Sequence, residues 1–93
     1  MSVVLIGGND CMVTRYKDIC KSYNCKAKVF TKMQTDFESK LDTPDLMVVF
    51  TGTCSHKMLN SVNKKSEKKA IPVVRIHTAG VTALKGVLEQ YCR

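Results

Sequence analysis

The side chains able to do chemistry are concentrated in two short loops. Thr51-Gly52-Thr53-Cys54-Ser55-His56 holds a thiol, a hydroxyl and an imidazole within three residues, and Gly7-Gly8-Asn9-Asp10-Cys11 adds a second thiol and a carboxylate. Three chemistries are open to this set. Cys11, Cys54, His56 and His77, with Asp10 beside them, are donors suited to zinc or a haem iron. Their spacing is not a zinc-finger pattern, because no pair of Cys-x-x-Cys knuckles exists. Covalent thiol chemistry is the second option: Cys54 lies near an expected helix start with His56 two residues on, and both features lower a thiol pKa. The third is binding of a small anion, such as a phosphorylated metabolite or nucleotide. Helix starts after Gly7-Gly8 and after Ser55 offer backbone N–H donors, and Arg15 and Lys32 are available cations. Asp10 counts against the anion, and the Gly-Gly pair is neither a Walker loop nor a dinucleotide fingerprint.

Such loops need strands to hold them. Leu46-Met47-Val48-Val49-Phe50 is an unbroken apolar run bounded by Gly, Thr and Ser, the pattern of a strand buried on both faces. Val3-Val4-Leu5-Ile6 is a second. Lys26-Ala27-Lys28-Val29-Phe30 carries lysines on alternate positions, and Val73-Val74-Arg75-Ile76-His77 carries an inserted arginine, so both read as edge strands. Between them the sequence predicts a helix from about Cys11 to Tyr23, capped by Asp10 and stopped at Asn24, with Met12, Val13, Tyr16, Ile19, Cys20 and Tyr23 on one stripe. A short helix follows Thr35-Asp36-Phe37-Glu38, whose Thr and Glu have the capping-box spacing, with Phe37 and Leu41 one turn apart. Ser55 caps a helix from His56 to about Lys69 that turns Met58, Leu59 and Val62 inward. After Thr78-Ala79-Gly80, a last helix carries Val81, Leu84, Val87, Leu88 and Tyr91 in phase.

Strand and helix alternate four times, which predicts an α/β fold with a single doubly wound parallel sheet. The uncharged first and third strands belong in the centre, giving the order 2-1-3-4 in a Rossmann-like or flavodoxin-like three-layer sandwich. The switch point then falls between those two strands, so the Gly7–Cys11 and Cys54 loops share one crevice, flanked by the Lys32 and His77 loops.

At 93 residues the chain is expected to form one domain, residues 1–93, with a single core. No window approaches the roughly 18 apolar residues of a membrane span. Ser2-Val3-Val4-Leu5-Ile6 offers no charged leader or long apolar stretch, so a cytoplasmic location without a signal peptide is expected. Five cysteines without such a signal argue for reduced thiols. Cys20, Cys25 and Cys92 read as core filler. The net charge of +7 makes polyanions conceivable partners, but lysines are spread along the chain. The dense run Lys64-Lys65-Ser66-Glu67-Lys68-Lys69 falls late in a helix, where cations complement its dipole. Nucleic acid ranks low as a partner because few aromatics interleave with the charges.

The opening Val3-Val4-Leu5-Ile6-Gly7-Gly8-Asn9-Asp10 with Arg15, the Cys54-Ser55-His56 loop, and the Pro72-Val73-Val74 strand leading towards Gly80 resemble the small bacterial proteins of domain-of-unknown-function family 2325. The likeness covers nearly the whole chain. It implies a Rossmann-like cytosolic bacterial domain and carries no settled activity. In the family the loop after the second strand often holds a His-x-Gly, where this chain has Lys32-Met33-Gln34. By topology the chain is also similar to the cysteine-phosphorylated B components of sugar phosphotransferase systems. There the phosphorylated Cys directly follows the first strand, whereas Cys11 comes five residues after Ile6 and follows Asp10, whose charge opposes a phosphocysteine.

The reading that best fits these features is a small ligand-binding or regulatory module. Its expected site is Gly7, Gly8, Asn9, Asp10 and Arg15 facing Thr51, Thr53 and Ser55, with Cys11, Cys54, His56 and His77 as the metal- or pH-sensitive part. A thiol-dependent enzyme or phosphocarrier and a basic nucleic-acid binder are the alternatives. A homodimer is expected to add burial to so small a domain with open sheet edges.

Overall fold

Five consecutive apolar residues form the centre of the molecule. β3 (Leu46–Phe50) is buried along its whole length, and β1 (Ser2–Ile6) beside it is buried from Val3 to Ile6. The computed structural model describes residues 1–32, 35–77 and 80–91. Its other elements are a 3-10 turn (Asp10–Met12), α1 (Val13–Ser22), β2 (Lys26–Phe30), α2 (Phe37–Lys40), α3 (His56–Lys69), β4 (Val73–Ile76) and α4 (Val81–Tyr91). The four strands form one sheet in the order β2-β1-β3-β4, and every pairing is parallel. The expected α/β class and strand order are those observed.

Side chains alternate across the sheet, so each strand feeds two cores. Val3 and Leu5 with Leu46, Val48 and Phe50 pack against Tyr16, Ile19 and Cys20 of α1 and Leu84 and Leu88 of α4. Val4 and Ile6 with Met47 and Val49 face the other way, against Phe37 of α2, Leu41, and Met58 and Val62 of α3. Helices therefore cover both faces, giving three layers. Complete burial of a Leu, Ile or Phe side chain contributes about 1.5–3 kcal/mol, which is why the two strands without charges occupy the middle. On β2, Lys26 and Lys28 are exposed and alternate with half-buried Ala27 and Val29. On β4 the Arg75 guanidinium donates to Asn63 Oδ1 of α3 at 3.0 Å.

Several local expectations need correction. The first helix does not begin as α-helix at Cys11, and its cap is not Asp10. Asn9 holds the cap: its extended backbone lets Oδ1 accept from the Cys11 amide at 3.0 Å, and a 3-10 turn precedes α1. Asp10 is directed elsewhere, as described below. The Thr35/Glu38 capping box does not form either. Asp36 is the N-cap, in the left-handed region at φ 56° with no side-chain cap bond, and Glu38 instead lies 3.4 Å from Lys68 of α3. Tyr91, expected on the inner stripe of α4, is 43% exposed at the helix end, one turn beyond buried Leu88. The Met33-Gln34 part of the β2 loop, the Thr78-Ala79 part of the β4 loop, and Cys92 lie outside the described residues.

Candidate functional site

β1 and β3 run parallel and adjacent, so the loops leaving their carboxyl ends rise side by side. The Gly8 amide donates to the Thr53 hydroxyl at 2.6 Å, and that hydroxyl lies 3.3 Å from the Phe50 carbonyl. The fit is close enough to exclude side chains. A Cβ on Gly7 would sit 3.0 Å from the Phe50 carbonyl oxygen and 3.3 Å from Cys54 Cβ; one on Gly8 would sit 2.9 Å from Tyr16 Cε2. Both glycines also have positive φ, 91° and 85°, which residues bearing a Cβ adopt only at a cost. Beneath Gly8, the rings of Tyr16 and Phe50 stack at 5.3 Å and 28°.

The outer strands are tied into the same crest. The Thr31 hydroxyl donates to Asp10 Oδ1, and Lys32 Nζ lies 3.4 Å from Asp10 Oδ2. Thr31 first and Lys32 second hold the Asp10 carboxyl below its ordinary pKa. On the far side, Thr51 N–H donates to the Ile76 carbonyl at 2.8 Å and Gly52 N–H to the His77 carbonyl at 3.1 Å. A Cβ on Gly52 would come within 2.5 Å of that His77 oxygen. The four loops thus form one fastened rim at the carboxyl edge of the sheet.

This geometry changes what the loops can do. The Gly7 amide donates to the Phe30 carbonyl at 2.8 Å, and the Gly8 amide is held by Thr53. The Gly-Gly pair is therefore a packing device, and its two N–H groups are committed within the protein. Ser55 caps α3 as expected, its hydroxyl accepting from the Met58 amide at 3.3 Å. Cys54 is half-buried, and desolvation raises its pKa; its Sγ donates to the Ser55 carbonyl at 3.4 Å. Burial thus acts against the lowering expected from the helix start and from His56. Cys11, Arg15, His56 and His77 are exposed. Among the described residues, no three His, Cys, Asp or Glu side chains gather as a set able to hold a metal. Cys11, Cys54, His56 and His77 share the rim without forming a ligand cage.

A family model described as an uncharacterized protein conserved in bacteria (DUF2325) matches residues 2–91. The chain belongs to this family. No curated protein matches it, and no solved structure does. In this DUF2325 chain the match spans both central loops and all four strands. Among its described residues, no helix is long and apolar enough to cross a membrane.

Two residues of the rim were not singled out as site residues from the sequence. Thr31 is the main partner of Asp10, and Tyr16 is the floor under Gly8. The periodicity of α1 puts Tyr16 on its inner stripe, but stripe position does not say which loop rests on the ring. A cavity of about 490 Å³ opens at the opposite end of the sheet, bordered by Val4, Lys28, Leu41, Asp42 and Pro44. There α2 is a single turn, too short to cover the sheet, and the Lys28–Asp42 ion pair at 2.7 Å spans the gap.

Proposed function

We propose that this bacterial protein is a cytoplasmic ligand-binding or regulatory module, acting as one Rossmann-like domain, whose rim at the carboxyl edge of the sheet takes a small anionic ligand. The observation that carries the reading is the Gly8–Thr53 bond, which brings the β1 and β3 loops to one place. In this reading Asn9, Asp10 and Arg15 border the ligand from one loop, and Thr51, Thr53, Ser55 and His56 from the other. Arg15 supports it best, because it is exposed and has no ion-pair partner among the described residues. Its fork of donors suits carboxylate or phosphate. Asp10 does not cancel Arg15, since its charge is already engaged by Lys32 and Thr31. The committed glycine amides leave recognition to side chains and to the start of α3, so affinity for an anion should be modest. Self-association through an open edge, β2 or β4, belongs to the same proposal.

The deciding experiment is native mass spectrometry with elemental analysis on protein purified without chelator. A retained anion that is lost in Arg15→Gln supports the reading. Stoichiometric zinc or iron would replace it with the metal reading. A bare chain whose Asn9, Arg15, Ser55 and His56 amide signals are unmoved by millimolar inorganic phosphate or a nucleotide mixture would remove it.

A further inference from the structure

The end of α1 brings two buried cysteines together through its backbone. Asn24 stands in the left-handed region at φ 59°. The Asn24 amide donates to the Lys21 carbonyl at 2.9 Å, and the Cys25 amide donates to the Cys20 carbonyl at 2.9 Å. These are the paired bonds of a Schellman cap, a motif frequently accompanied by side-chain contact between the first and last residues of the turn. Those two positions are occupied by Cys20 and Cys25, and the Cys25 Sγ donates to the Tyr23 carbonyl at 3.4 Å. Both belong to the core cluster beneath α1, at 0% and 6% exposure. With the Cα–C=O angle at its planar value of about 120°, the covalent arms flanking that hydrogen bond hold the two Cα atoms within about 6.8 Å of each other, the upper end of the usual range for disulfide-bonded pairs.

We propose that Cys20 and Cys25 are a modification site, at which a low-molecular-weight disulfide converts the two thiols into an intramolecular disulfide clasping α1 to β2. In the reaction the Cys25 thiolate attacks one sulfur of the small disulfide and expels a small thiol. Cys20 then displaces the second, closing the protein S–S bond. The small disulfide accepts two electrons and is released as two thiols, which carry the two protons the cysteines lose. Cys25 reacts first because it is the less buried of the pair. Burial, followed by the nearby Cys25, pushes the Cys20 thiol up to about 11, so closure waits on local opening of the Tyr23-Asn24 turn and is slow. The other described thiols, Cys11 and Cys54, are both on the rim at the carboxyl edge of the sheet. The closing turn joins α1 to the start of β2, at the sheet's other end.

The test incubates native protein across a series of glutathione disulfide-to-glutathione ratios, then quenches with acid, alkylates and digests with trypsin. Cleavage after Lys17, Lys21 and Lys26 separates the two cysteines, so the bond is read as Asp18–Lys21 joined to Ser22–Lys26 with loss of two hydrogen masses. The joined pair should appear at a more reducing ratio than stable glutathionylation of Cys11, and should persist in Cys11→Ser. Recovery of the two peptides as separate alkylated species at ratios that fully glutathionylate Cys11 would overturn the proposal. So would stable glutathionylation of Cys25 without closure.

Discussion

The Gly8 amide and the Thr53 hydroxyl, 45 residues apart in sequence, meet at 2.6 Å. This contact fastens the β1 loop to the β3 loop, and the proposed site depends on it. Thr53→Ala removes the acceptor and should lower stability by about 1 kcal/mol, since the exposed Gly8 amide then turns to water. Thr53→Ser keeps the hydroxyl and should restore most of the loss. Urea unfolding of the three proteins checks this, and an unchanged midpoint for Thr53→Ala would show that the bond contributes nothing to stability.

Two glycines should respond to alanine with opposite signs. Gly8→Ala forces a side chain into positive φ and against the Tyr16 ring, so it should cost about 2–4 kcal/mol from backbone and overpacking strain together. Gly86 lies on an exposed face of α4 with nothing within 4 Å of its would-be Cβ. Gly86→Ala should stabilise by about 0.5–1 kcal/mol through helix propensity. Thermal melts of both variants provide the measurement.

The strands were legible because their signals are local. The five apolar residues of β3 and the alternate lysines of β2 gave both extents and the central-versus-edge order. The cap of α3 was legible too, since Ser55 is the residue before an apolar-periodic segment. Asn9 and Asp10 show where sequence stops being decisive. Both are good caps, and the choice between them was made by Thr31 and Lys32, which lie on another strand's loop. The Gly7-Gly8 pair was likewise ambiguous. Glycines that let a phosphate approach and glycines that let Tyr16, Phe50 and Cys54 approach look the same in one dimension. The Cys20–Cys25 pair looks like core filler in sequence because its proximity arises from the left-handed Asn24, not from any periodic spacing.

Thiol reactivity should follow burial. Cys11 is exposed, Cys54 is half-buried with a raised pKa, and Cys20 is fully buried and pushed up to about 11. Thiolate is the reacting form, so alkylation of the native protein at neutral pH should proceed in the order Cys11, Cys54, Cys20. Time-resolved peptide mapping with iodoacetamide measures the order. Cys54 reacting ahead of Cys11 would return the thiol-enzyme alternative to consideration.

Asp10 supplies the pH test. Its carboxyl is lowered from the 3.8 of an unperturbed aspartate, by the Thr31 hydroxyl most and by Lys32 next. Because the folded value lies below the unfolded one, the stabilising contribution is complete above the unfolded pKa. It is lost as pH falls through the folded value. Asp10→Asn should therefore flatten the acid limb of the stability curve below about pH 4. The carboxyl carbon of Asp10, followed by NMR, should titrate below 3.8. Thr31→Val should move that midpoint up further than Lys32→Gln does. Salt should erode the Lys32 share, which acts between exposed charges, and leave the Thr31 hydrogen bond largely intact. If Lys32→Gln produced the larger shift, the rim would be held on this side by charge rather than by the Thr31–Asp10 bond, and the β2 loop would be a far looser flank to the site.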